Sequence, residues 1–224
     1  MKKKLTIWSV SAVLTGLALL PLFSAFEAHV VNVTATIENA LFVHPQSREF
    51  GTVFPQEYFK KGIFITFSDS FSQTNQRRVS KVDYIIKQKP QCVDAQGNLP
   101  QVGEDANGNF VCPQGSTMRP LLCPYLSKTP ANLDGNDVGV PAFHDPFNPA
   151  NYAKGTIDKQ GEFVGDNWVI DLAVPCFRGQ CAQDWASFVH SLNPNADPNL
   201  YMADPTLEHQ TFGCDLWVEV TKIY

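Results

Sequence analysis

From residue 29 onward, the dominant pattern is a two-residue alternation of apolar and polar side chains. In His29 to Glu38, Val31, Val33, Ala35 and Ile37 fall on one side and Asn32, Thr34 and Thr36 on the other. That is the period of a half-buried strand. In Gly62 to Ser68, Ile63, Ile65 and Phe67 alternate with Phe64, Thr66 and Ser68, and in Arg78 to Lys87, Val82, Tyr84 and Ile86 share a side. Phe163 to Phe177 places Trp168, Ile170, Leu172 and Val174 together and is stopped by Pro175. Phe212 to Ile223 sets Leu216, Val218 and Val220 against Trp217, Glu219 and Thr221. Phe50 to Glu57 is expected to be a strand closed by a turn at Pro55. The period changes only once, over Gln183 to Leu192, where Trp185, Phe188, Val189 and Leu192 recur at helical spacing. Seven or more strands, many turns and one short helix predict an all-β protein. The expected form is an antiparallel β-sandwich, immunoglobulin-like or jelly-roll.

The polar stretches predict how the strands are joined. Ser68 to Arg78 and Asn193 to Thr206 read as loops, and Leu121 to Leu126 as a short apolar run. Residues 90–120 and 127–153 read as loop-rich insertions within a single domain spanning 29–224. One turn skeleton recurs: Asp, two residues, Gly, one residue, then an apolar side chain. It appears at Asp94 to Leu99, Asp105 to Phe110 and Asp158 to Phe163. Gly supplies the positive φ and Asp bonds the turn backbone, so three hairpins are expected. Calcium is the competing reading of Asp105, Asn107 and Asn109. An EF-hand loop places Gly at position six and Glu at twelve, whereas this loop has Gly108 at four and Ser116 at twelve.

The N-terminus changes the picture most. Lys2, Lys3 and Lys4 precede an uncharged stretch, Leu5 to Phe26, the pattern of an export signal. A retained membrane anchor is the rival reading. The stretch is long enough to span a bilayer, and Phe23 or Phe26 falls where a signal peptidase prefers a small residue. Either way, residues 29–224 are expected outside the cytoplasmic membrane, because basic residues stay inside. Residues 1–28 hold three Lys and one Glu, leaving 14 basic and 21 acidic side chains and a charge of −7. That argues against a basic nucleic-acid surface and against polybasic lipid binding. Membrane contact is expected only through the N-terminal segment. Asn32-Val33-Thr34 fits a glycosylation acceptor, but it sits within the first expected strand.

In an oxidising compartment, six cysteines become a disulfide question. Cys176 and Cys181 span a turn after a strand, Cys92 and Cys112 bracket the turn-rich insertion, and Cys123 is left with Cys214. A zinc site is the alternative, although no Cys-x2-Cys pair occurs. His29, His44, His144, His190 and His209 form no His-Glu-x-x-His motif and read as surface or loop residues, with His190 on the polar side of the short helix. Neither a Gly-x-Ser-x-Gly elbow nor a phosphate loop occurs. No catalytic residue, cofactor or metal ligand is therefore expected.

The order of these segments resembles the TasA/camelysin group of exported proteins, which are processed by a SipW-type signal peptidase. The resemblance rests on the Lys-rich signal ending near Ser24-Ala25-Phe26 and on the strand directly after it. It continues through Phe50-Gly51-Thr52-Val53-Phe54-Pro55-Gln56-Glu57 and Ile63 to Ser68. It covers residues 1–88, and Gln56 stands where that group usually has Gly. Residues 91–224, which carry the cysteines, have no counterpart there. The whole chain is also similar to exported proteins of candidate-phylum bacteria, with ends such as Cys214-Asp215-Leu216-Trp217-Val218-Glu219-Val220-Thr221. The first resemblance implies a β-sandwich surface protein that in some members builds matrix fibres by strand donation. The group also carries a metallopeptidase label, which makes a metallopeptidase the third functional reading, although no motif can be transferred here.

The expected function is thus an exported structural component of the cell surface or extracellular matrix. Its partners would be other copies or other surface proteins, with Val31, Val33, Ala35 and Ile37 on the assembly strand. A second reading is a monomeric binding module for a glycan or protein ligand. It would use loops 127–153 and 193–209, where Phe143, Phe147, Tyr152 and Tyr201 could stack on a ligand.

Overall fold

The computed structural model describes residues 39–73, 79–131, 136–160 and 164–224. Strands β1 (Leu41–His44) and β2 (Tyr58–Phe67) come first, then a one-turn helix α1 (Asp69–Ser72) and β3 (Lys81–Lys89). Four short strands follow: β4 (Cys92–Asp94), β5 (Gly103–Glu104), β6 (Phe110–Val111) and β7 (Ser116–Met118). The chain continues through β8 (Thr129–Pro130), β9 (Ala153–Asp158), β10 (Gly165–Ala173), helix α2 (Trp185–Leu192) and β11 (Asp215–Ile223). All described strands from β1 to β11 belong to one unit, Asn39–Tyr224.

Two antiparallel sheets carry the fold. One has the order β1-β2-β10-β8 and the other β11-β3-β9. Their inward sides are those the alternation selects. Ile63, Ile65 and Phe67 of β2 and Trp168, Ile170 and Leu172 of β10 share one core with Val82, Tyr84 and Ile86 of β3. Leu216, Val218 and Val220 of β11 pack partly against it. The result is an antiparallel, sandwich-like β fold with few helices, as the pattern predicts. A polar chain crosses the core: Trp168 Nε1 donates to Tyr84 Oη at 2.7 Å, and Tyr84 Oη donates to Asp166 at 2.5 Å. Burial and the adjacent carboxylate push the Tyr84 hydroxyl far above its ordinary range, so it stays protonated as a donor. The Tyr84 ring lies against Gly155, where a Cβ would collide with it.

The cysteines form three bridges, Cys92–Cys112, Cys123–Cys214 and Cys176–Cys181, the same pairs that the spacing suggests. No cysteine is free. Three bridges indicate an oxidising environment such as the extracellular space. Among the described residues, no helix is long and apolar enough to cross a membrane. Residues 1–28 and the expected strand His29 to Glu38 lie outside the described residues.

Several expected elements take a different form. Residues 50–57 are not a strand. The turn at Pro55 exists, with Glu57 N donating to Phe54 O and Phe54 N to Glu57 Oε2. The flanking backbone, however, bonds the end of β10 through Gln56 N to Val174 O and Val174 N to Glu57 O. Phe50 and Val53 still pack against the core. Their apolar spacing therefore reports burial without a ladder. Gln56 holds φ +64°, a left-handed position that suits glycine better. The expected strand over 163–177 is shorter, Gly165–Ala173, and the one over 78–87 begins at Lys81.

The three Asp turns divide. Asp105 closes a true hairpin between β5 and β6: Oδ1 accepts from Asn107 N and Asn109 N, and Oδ2 from Asn109 Nδ2. Asp94 makes the same bonds, but β4 pairs with the distant β7. At Asp158, Oδ1 accepts from Gln160 N, and the chain passes from β9 in one sheet to β10 in the other. Residues 161–163 of that turn lie outside the described residues. The Asp side chain stabilises a tight turn whatever the flanking strands pair with.

Candidate functional site

Three places carry candidate chemistry: the loops, the sheet edges and a buried polar cluster. The loops correct the sequence expectation of exposed aromatics. Phe143 is 1% exposed. Its ring meets Tyr125, Trp185, Phe188 and Tyr201 at centroid distances of 6.3, 5.5, 6.0 and 5.6 Å. Phe143 also holds φ +57°, uncommon for a bulky residue. Asn193 Nδ2 secures it by donating to the carbonyls of Phe143 and Ala142, and Phe143 N donates to Pro124 O. Tyr201 is half-buried in the same cluster. Phe147 packs on Phe110 at 5.2 Å, and Tyr152 lies under the Lys87 ammonium. Phe143 and Tyr201 therefore anchor their loops to the core, and Phe147 and Tyr152 are half-buried against Phe110 and Lys87. The reason is that α2 needs a cover for Trp185 and Phe188, and the two loops provide it.

The sheet edges are asymmetric. β9 is bridged by Val138, with Val138 N donating to Lys154 O and Lys154 N to Val138 O. β1 is an edge of only four residues. β11 is a nine-residue edge that pairs with β3 alone among the described strands. Its register with β3 is regular from Asp215 to Val220 and shifts between Val220 and Lys222. That bulge and the charges of Glu219 and Lys222 are features that limit uncontrolled edge pairing. On the outer face of the four-stranded sheet, Phe42 and Phe64 are exposed beside an open groove of about 460 Å³ lined by His44, Arg48 and Asn167. Arg48 is already engaged there, donating to Gly62 O.

The third place is a buried polar cluster at the end of the core. Gln88 continues the inward side of Val82, Tyr84 and Ile86 and is 2% exposed. Lys128, just before β8, is fully buried and His144 is nearly so. In the Gln88 amide orientation that gives both its oxygen and its nitrogen suitable partners, its NH2 donates to Cys123 O at 2.8 Å. Its oxygen then accepts from Lys128 Nζ and from His144 Nε2, both at 2.6 Å. Lys128 Nζ lies 3.3 Å from His144 Nε2. Among the described residues, no carboxylate pairs with this lysine. Burial lowers Lys128 to about 7, and burial with the neighbouring Lys128 lowers His144 to about 3.

This makes one histidine titration visible in stability. The unfolded chain takes up a proton on His144 near 6.5, but the folded chain does so only near 3. Over that window the unfolded state binds more protons, so stability falls as pH falls. The slope is on the order of 1 kcal/mol per pH unit. His144→Gln should flatten this part of the profile, measured as urea midpoints from pH 7 to pH 4 and compared with the parent chain.

Sequence reasoning placed His144 among surface or loop residues. It lies in a loop, but a buried one, whereas His44, His190 and His209 are exposed. The inward parity of β3 was the available signal for Gln88. Lys128 and His144 sit in segments without periodicity and gave none. Among the described residues, no group of three or more His, Cys, Asp or Glu side chains could hold a metal ion. The assembly residues Val31, Val33, Ala35 and Ile37 lie outside the described residues. No protein-family model, curated protein or solved structure matches the chain.

Proposed function

We propose that this protein is an exported structural component of the cell surface or extracellular matrix that assembles by adding a strand from one copy to the sheet edge of another. The observation that carries this reading is β11, a nine-residue edge that among the described strands is paired on one side only. Its unpaired N–H and C=O groups are a template for another strand. The donor is His29 to Glu38, whose alternation of Val31, Val33, Ala35 and Ile37 would extend the apolar side formed by Leu216, Val218 and Val220. The regular stretch from Asp215 to Val220 is the acceptor, and the bulge beyond it limits the register. Three disulfides suit a protein that must persist outside the cell. The resemblance of residues 1–88 to fibre-forming surface proteins points the same way.

Deleting residues 29–38 from the exported chain should abolish assembly while leaving the monomer folded. A synthetic peptide of residues 29–38 should bind the truncated monomer and block assembly of the parent. Light scattering and circular dichroism check both. Oligomers of normal size from the deletion would overturn the assignment of the donor strand.

A further inference from the structure

The Lys128, Gln88 and His144 cluster has a chemistry that assembly does not use. A fully buried primary amine touches a carboxamide, with a histidine ring nitrogen on the same oxygen. Burying an ammonium ion without a carboxylate is expensive, and a fold usually avoids it or neutralises the group. Among the described residues its hydrogen-bonding neighbours are neutral: the Gln88 amide, the His144 ring and the Leu126 carbonyl, which lies 3.5 Å from Nζ. We infer that Lys128 and Gln88 become joined, within the folded chain, by an Nε-(γ-glutamyl)lysine isopeptide bond.

The reaction is a transamidation and balances without an oxidant or co-reactant. The Lys128 Nζ lone pair attacks Gln88 Cδ and forms the new C–N bond. The electron pair of the C=O bond moves onto the oxygen, where the His144 Nε2–H donates to it. A proton from Nζ passes to the departing amide nitrogen. The carbonyl re-forms, the old C–N bond breaks, and ammonia leaves. The Cys123 carbonyl already holds the departing nitrogen at 2.8 Å.

Three conditions favour the step. Burial lowers the amine to about 7, so near neutral pH much of it is unprotonated and nucleophilic. The hydrogen bond from Nζ to the amide oxygen keeps nucleophile and electrophile in contact, the condition that gives intramolecular reactions their large effective concentrations. The site is buried, which limits the access of bulk water to the carbonyl. The product removes the buried ionisable amine and leaves a neutral secondary amide. It also staples β3 of the three-stranded sheet to the segment entering β8 of the four-stranded sheet, beside the Cys123–Cys214 bridge. Such a link across the sandwich would resist reducing agents, which the disulfides do not.

The test is mass spectrometry of the purified, oxidised protein, before and after incubation at pH 8. The expected intact mass is about 17 Da, one ammonia, below that of the chain with three disulfides. Digestion should yield a branched peptide in which Lys128 carries Gln88. Gln88→Leu should restore the full mass, and His144→Gln should slow the mass loss at least tenfold in refolded protein. A folded parent chain that keeps the full mass and an unmodified Lys128 after incubation would overturn the inference. A mass loss that persists in Gln88→Leu would also overturn it, because the ammonia would then come from another residue.

Discussion

Replacing Cys123 and Cys214 together with alanine is expected to destabilise the fold by about 4 to 5 kcal/mol, the largest effect of any bridge removal here. The bridge closes a sequence separation of 91 residues, against 20 for Cys92–Cys112 and 5 for Cys176–Cys181. Loop-closure entropy ranks them in that order, with about 3 kcal/mol for the middle bridge and about 2 for the shortest. The long bridge also ties the start of β11 to the 3-10 turn Cys123–Tyr125, and Gly213 N donates to Pro120 O beside it. Losing it frees the acceptor edge as well as the core. Thermal unfolding of the double variant should begin about 10 °C or more lower. Equal midpoints for the long-bridge and Cys176–Cys181 double variants would contradict this ranking.

Phe143→Ala is expected to cost about 3 to 5 kcal/mol, a typical loss for a fully buried aromatic ring. Phe143 is the hub on which Trp185 and Phe188 of α2 and Tyr201 of the following loop converge. Trp185 Nε1 also donates to Pro198 O, so the loop and the helix are held as one block. The loss should therefore include local loosening of residues 185–201, seen as faster amide exchange there than in β2 or β10. Tyr201→Ala removes a half-buried member of the cluster and should cost less. An unchanged urea midpoint for Phe143→Ala would show that the aromatic cluster does not anchor α2 and its loops.

The sheets were legible because burial on one side imposes a period of two. Ile63, Ile65 and Phe67, or Trp168, Ile170 and Leu172, declare their inward side without knowledge of any partner. The helix was legible for the same reason at its own period, with Trp185 and Val189 buried one turn apart. The segment at Phe50 to Glu57 misled because apolar spacing records contact with a core. Whether the backbone joins a ladder depends on where Val174 lies, far along the chain. The loop aromatics misled in a related way. Phe143 and Tyr201 sit in polar, proline-rich surroundings and are buried only because two distant loops fold over α2. Lys128 and His144 left no trace at all. A lysine and a histidine in loops read as solvated until the fold encloses them.

Assembly through a strand edge is read most directly from the size of the oxidised chain of residues 29–224 over a concentration series. Size-exclusion chromatography with negative-stain microscopy reads it. Edge-strand addition predicts species that grow with concentration into oligomers or filaments. A monomer whose elution is independent of concentration, with no filaments on the grid, would contradict it.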